Sequence, residues 1–169
     1  MVERQTRNKM KKNDKKISFV YDLTDEYHII GICSHLKEYK LCWNINKILN
    51  TNLSKLEDFS FNTKNVTGEN FSFFYYNDHN NRNNIFLLSN KNDNLVLLDK
   101  IPEADFLLII KGVFSEKRIE EVISALKKTS NILTVFSVNM NKIKEMNTFL
   151  TELELYQMSF EERPKKIRR

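Results

Sequence analysis

The chain has 169 residues, 27 basic and 22 acidic, with a formal charge of +5 and a pI of about 9.1. A hydrophobic content of 41% with 12 Phe and 6 Tyr supports a real core and excludes global disorder. Only Gly31, Gly68 and Gly112 are glycines, which excludes a Gly-rich phosphate loop, a dinucleotide fingerprint and a Gly-x-Ser-x-Gly nucleophile elbow.

Residues 1–16 carry seven bases against Glu3 and Asp14, and include Lys11, Lys12, Lys15 and Lys16. They are nearly free of apolar side chains and are expected to form a disordered basic arm. Residues 163–169 add Arg163, Lys165, Lys166, Arg168 and Arg169 with no acid. The body between, 17–162, holds 15 bases and 20 acids. The basic balance therefore belongs to the two ends of an acidic body.

Tyr27–Cys33 (YHIIGIC) is short and β-branched, which predicts a buried strand. Leu41, Cys42, Ile45, Ile48 and Leu49 then recur on one helical face, with Ser34 as the expected N-cap and Asn50–Asn52 as the end. Tyr39 and Trp43 flank that stripe. From about residue 55 the period shortens. Leu56–Phe61, Phe71–Tyr76, Ile85–Ser89, Leu95–Asp99 and Asp105–Lys111 read as strands. Asn77–Asn84 and Asn90–Asn94 are the expected hairpin loops, because Asn and Asp form Asx turns and tolerate left-handed backbone. Connections this short imply antiparallel pairing.

Ser115 is the expected cap of a second helix over about 116–128, with Phe114 and Ile119 as a hydrophobic staple. Its acids come early and Lys127 and Lys128 late, as the helix dipole favours. Asn131–Val138 predicts one more strand. Ile143, Met146, Leu150 and Leu153 predict a C-terminal helix. The expected organisation is a basic arm (1–16), one domain (17–157) and a charged tail (158–169). The expected fold is α+β: a mostly antiparallel sheet of about five to seven strands with two or three helices packed on one face.

The blocks at 31–50 (GICSHLKEYKLCWNINKILN) and 101–112 (IPEADFLLIIKG) together resemble the bacterial family named for its IPExxVDY motif. The matching positions are Gly31, Tyr39, Leu41, Trp43 and Asn46, then Ile101, Pro102, Glu103, Asp105, Phe106, Lys111 and Gly112. The likeness spans roughly residues 20–150. It departs at the name motif, where Ala104 alone separates Glu103 from Asp105 and Phe106 stands in place of Tyr. It implies a single bacterial cytoplasmic domain and brings no activity and no catalytic residues.

Several constellations carry possible chemistry. Cys33, His35 and Cys42 offer three soft ligands, whereas structural zinc sites take four, so small buried packing thiols are expected instead. Glu103 and Asp105, with His35, are the residues an enzyme of small-molecule chemistry would use. Lys111 beside Gly112 could meet an anion. In Phe71–Tyr76, alternation puts Phe71, Phe73 and Tyr75 on one face and Phe74 and Tyr76 on the other. Core and sheet packing is the expected role of this strand; an exposed face would make Phe74 and Tyr76 a candidate binding patch, with Tyr39 and Trp43 a second and Asn46 a further binding candidate. No cofactor or metal is expected.

Neither a secretory leader nor a membrane span is expected. Ile17–Tyr21 runs straight into Asp22, and no apolar stretch approaches ~20 residues. The expected protein is a non-enzymatic cytoplasmic adaptor with an unknown protein partner. The alternative is an RNA-associated accessory protein whose Lys/Arg ends bind phosphates in a salt-sensitive way.

Overall fold

The computed structural model describes residues 23–61, 68–93 and 95–162. The two basic ends, with Lys11, Lys12, Lys15, Lys16, Lys165, Lys166, Arg168 and Arg169, lie outside the described residues. In chain order the elements are β1 (Tyr27–Ser34), α1 (Glu38–Leu49), β2 (Ser54–Lys55), β3 (Phe59–Ser60), β4 (Asn70–Phe71) and β5 (Phe73–Asp78). They continue with β6 (Asn83–Ser89), β7 (Phe106–Lys111), α2 (Glu116–Lys127), β8 (Ile132–Ser137) and α3 (Met146–Glu161).

The fold is α+β. Six strands form one sheet in the order β2-β5-β6-β7-β1-β8, and every neighbouring pair is antiparallel. β3 and β4 form a separate two-stranded pair. β6, β7 and β1 are central and read as near-continuous apolar runs because both of their faces are covered. Leu107 and Ile109 point into one core, and Leu108 and Ile110 into the other.

Two helices cover one face. Leu41, Cys42 and Ile45 of α1 and Ile119, Val122 and Leu126 of α2 close over Ile30, Ile32, Phe74, Ile85, Leu87 and Val135. Ser115 caps α2 by accepting the Arg118 amide, as its sequence predicts. α1 differs. Its N-cap is Lys37, without a side-chain cap, while the Ser34 hydroxyl donates to the Asn131 carbonyl and accepts the Leu36 amide. Asn50 ends α1 in the left-handed conformation that Asn tolerates.

α3 lies on the opposite face. Phe149, Leu150 and Leu153 close a second core with Phe59, Phe61, Phe71, Phe73 and Phe86. The aromatics there interlock edge to face, as in Phe61–Phe149 at 5.6 Å and Phe73–Tyr156 at 5.1 Å. α3 runs to Glu161, beyond the expected domain end at 157, because Phe160 packs on Phe73 and Tyr75. The Glu161 carboxylate also accepts from the Tyr75 hydroxyl and the Asn77 amide.

Two strand expectations are corrected. Leu95–Asp99 is not a strand: β6 and β7, the strands it connects, already pair with each other and with β5 and β1, so neither has an open side to receive it. Only a Lys91–Val96 bridge remains, and Leu97 and Leu98 fold inward as a buried loop. The β5–β6 hairpin is tighter than Asn77–Asn84. Asn77 pairs with Asn84 and Asp78 with Asn83, and the turn closes when Asp78 accepts the Asn81 amide.

Candidate functional site

An open groove of about 640 Å³ lies at one end of the sheet, where β1, β6 and β7 meet the start of α1. Its lining includes Ser34, Glu38, Tyr39, Ser72, Lys91 and Asp105. The groove exists because the chain leaves β1 at Ser34 and must turn before α1, so the first turn of α1 overhangs the ends of β6 and β7.

Asp105 is held from three sides. Its carboxylate accepts the Ser34 amide at 2.9 Å and the Lys91 ammonium at 2.7 Å, and the Cys33 thiol lies beside it. Partial burial opposes the charge, but the Lys91, Ser34 and Cys33 hydrogen bonds outweigh it and hold the carboxyl below its usual range. Burial, and then Asp105, push the Cys33 thiol up.

Glu38 forms the second charged wall and pairs with Lys55 at 2.7 Å. Burial again works against the carboxylate, yet Lys55 keeps it below the ordinary value. The buried Ser72 hydroxyl lies near enough to favour the same charged form but makes no hydrogen bond of ordinary geometry. Each groove carboxylate therefore has its own lysine, and neither is poised to take or give a proton near neutral pH.

The turn that carries Asp105 rests on Asn90, a fully buried side chain that no sequence motif marks. Its amide donates to the Ile101 and Ala104 carbonyls at 3.1 and 3.0 Å, and its Oδ1 accepts the Leu98 amide at 2.9 Å. The only sequence signal was an Asn immediately after an apolar strand. Ile101 and Ala104 are buried while Pro102 and Glu103 form the exposed tip, so IPEAD is a clamped turn that aims Asp105 at β1.

Tyr39 and Trp43 stand one turn apart on α1, each 58% exposed. Tyr39 rims the groove, and Lys47 lies 3.5 Å from the centre of the Trp43 ring. A Tyr-Trp-Lys ridge thus runs outward along α1.

The other expected site residues separate. Phe74 is not a surface residue: at 5% exposure it packs under α1, because both faces of β5 are covered. Tyr76 is half-buried against the same core. Asn46 folds back on its own chain, accepting the Leu53 amide at 2.7 Å and donating to the Leu53 carbonyl at 3.1 Å, and so fastens the α1–β2 turn. Lys111 lies away from the groove lining, where it pairs with Glu154 of α3, which also accepts the Tyr27 hydroxyl. Burial first, and Glu154 second, push the Tyr27 phenol well up.

Glu103 and His35 are exposed, and no hydrogen bond or ion pair joins them to Asp105. The proposed acid–base set does not assemble. Cys42 is buried, donates to the Leu53 carbonyl and has its thiol pushed up to about 11 by desolvation. Among the described residues no three His, Cys, Asp or Glu side chains gather in a way that could hold a metal ion. Among the same residues no helix is long and apolar enough to cross a membrane. A second cleft of about 390 Å³, between Phe61, the Leu95–Lys100 loop and the start of α3, is lined by none of the candidate site residues.

Neither a family model nor a curated protein matches this chain.

Proposed function

We propose that the chain is a non-enzymatic binding module that takes an extended polar segment of a partner protein into the groove beside α1. The observation that carries this reading is the exposure of Tyr39 and Trp43 together on the helix that roofs the groove. Exposed Tyr and Trp are rigid, amphipathic contact residues of the kind that dominate binding hot spots. The groove adds paired charges of both signs, which suit the alternating donors and acceptors of a peptide and leave no free acid or base for chemistry. The two free thiols, Cys33 and Cys42, fit a reducing cytoplasm. Kinship with the IPExxVDY family is part of the same proposal, resting on the matched blocks at 31–50 and 101–112.

Co-purification from source cells with the wild type and with Tyr39→Ala/Trp43→Ala tests the reading. The expected result is a protein recovered with the wild type and lost with the double variant, at unchanged circular dichroism. Equal recovery with both proteins would refute it.

A second reading rests on the charge distribution. The ends carry twelve bases against two acids, while the body is acidic, so RNA association would depend on residues 1–16 and 163–169. Filter binding at rising salt, with and without those segments, decides it. Binding unchanged by their removal contradicts the mechanism.

A further inference from the structure

The two edges of the main sheet are built differently. β2 closes one edge with two residues, one of them Lys55, and short or lysine-bearing edges resist pairing with other strands. β8 closes the other with six residues, and 131–138 (NILTVFSV) contains no charge and no proline. Among the described residues nothing pairs with its outer side. The Val138 amide donates to the Ile29 carbonyl, so by antiparallel alternation Phe136 and Thr134 bond β1, while Val135 and Ser137 turn their amides outward.

We infer that β8 is the dimerisation edge of this chain, pairing antiparallel with β8 of a second copy to make one continuous sheet. What selects a second copy is the charge order of α2. Its exposed Glu116 and Glu120 lie in the first half and its exposed Lys127 in the last turn. The β7–α2–β8 connection joins two strands that run the same way, on either side of β1. The right-handed form of such a crossover turns the flank bearing Glu116, Glu120, Ile123 and Lys127 toward the open edge.

A two-fold axis beside β8 reverses α2 in the second copy. Each Glu120 then faces the other copy's Lys127, with Ile123 between the two pairs. The same surface is used on both sides, as closed two-fold symmetry requires. With the paired strands ~4.8 Å apart, an α2 seated between β1 and β8 in each copy stands ~10 Å from its partner, a separation at which helices pack. Leu133, 59% exposed, stands at the bulge where β8 shifts register against β1, next to Ile132 on the α2 side. The pairing leaves the α1 ridge and groove open on both copies.

Sedimentation of the full chain tests the inference. The wild type is expected to be a dimer. Ser137→Pro removes an outward amide at an exposed position and is expected to give a folded monomer. Lys127→Glu is expected to weaken dimerisation about tenfold at low salt, and Glu120→Lys/Lys127→Glu to restore it to within about threefold. A wild-type monomer would overturn the inference. So would a dimer indifferent to both Ser137→Pro and the charge reversal, or a chain that dimerises only once residues 1–22 are removed, which would make its own N-terminal segment the occupant of the edge.

Discussion

Replacing Asn90 by alanine removes a side chain that is fully buried and makes three hydrogen bonds, to the Ile101 and Ala104 carbonyls and the Leu98 amide. Each partner left unpaired in a dry site costs about 1–3 kcal/mol. Full exposure of all three to the penalty would cost about 3–9 kcal/mol, and a water entering the vacated space relieves part of it. The expected loss is therefore about 3–5 kcal/mol, a large share of a typical domain stability of about 5–15 kcal/mol. Urea unfolding followed by circular dichroism measures it as a lower midpoint at unchanged slope. Asn90→Asp is a sharper control, because a carboxylate faces two carbonyls where an amide donated. It should be at least as damaging at pH 7 and recover partly in acid. A loss below about 1 kcal/mol for Asn90→Ala would refute the argument that this side chain holds the turn carrying Asp105.

Three further outcomes follow from single contacts. Asp105 has its carboxyl held low, so its charged form stabilises the fold above the unfolded pKa near ~3.9 and loses that contribution as pH falls through the lower folded value. Asp105→Asn should cost about 1–2 kcal/mol at pH 7, and the gap from wild type should close in acid; a gap that persists unchanged at pH 2 would contradict this. Gly112 has φ +129°, and an added Cβ would meet Asn83 Oδ1 at 2.2 Å and the Arg82 carbonyl at 2.8 Å. Gly112→Ala should therefore cost about 1–3 kcal/mol in thermal or urea unfolding, and a neutral variant would show the turn to be adaptable. The buried Cys42 thiol, pushed up to about 11, should resist maleimide at pH 7 until the protein unfolds, whereas the partly exposed Cys33 reacts first. Equal rates at the two positions would contradict the burial of Cys42.

The elements with strong local signals were legible. α2 announces itself through the Ser115 cap and its charge gradient, and β1, β6 and β7 through short β-branched or apolar runs. Leu95–Asp99 reads as a strand because a buried loop and a buried strand share the same apolar composition. Only the sheet order, which fills both sides of β6 and β7, separates them. The alternation of Phe71–Tyr76 was legible, but the fate of each face was not. Covering both faces of β5 depends on α3 returning from the far end of the chain.

At the site, Tyr39 and Trp43 were visible as aromatics off the apolar stripe, and their exposure follows from that position. Asn46 and Lys111 look alike in sequence to ligand-binding side chains, and only their long-range partners, Leu53 and Glu154, reveal structural roles. The pairing of Asp105 with Lys91, and of Glu38 with Lys55, joins segments 14 and 17 residues apart by a geometry that no local pattern encodes. Gly31 gained its reason only in three dimensions: the Phe136 ring lies over it, 2.5 Å from where a Cβ would stand.

The central claim is that α1 and its groove form the recognition surface. Photo-crosslinking from a probe at position 39 or 43 of the full chain, in source cells, addresses it most directly, with a probe at position 124 on the outer face of α2 as control. The account predicts one protein species captured from positions 39 and 43, absent from position 124, and diminished when Lys91→Glu is added in the groove. Capture of the same species from all three positions, or none above background at positions 39 and 43, would contradict it.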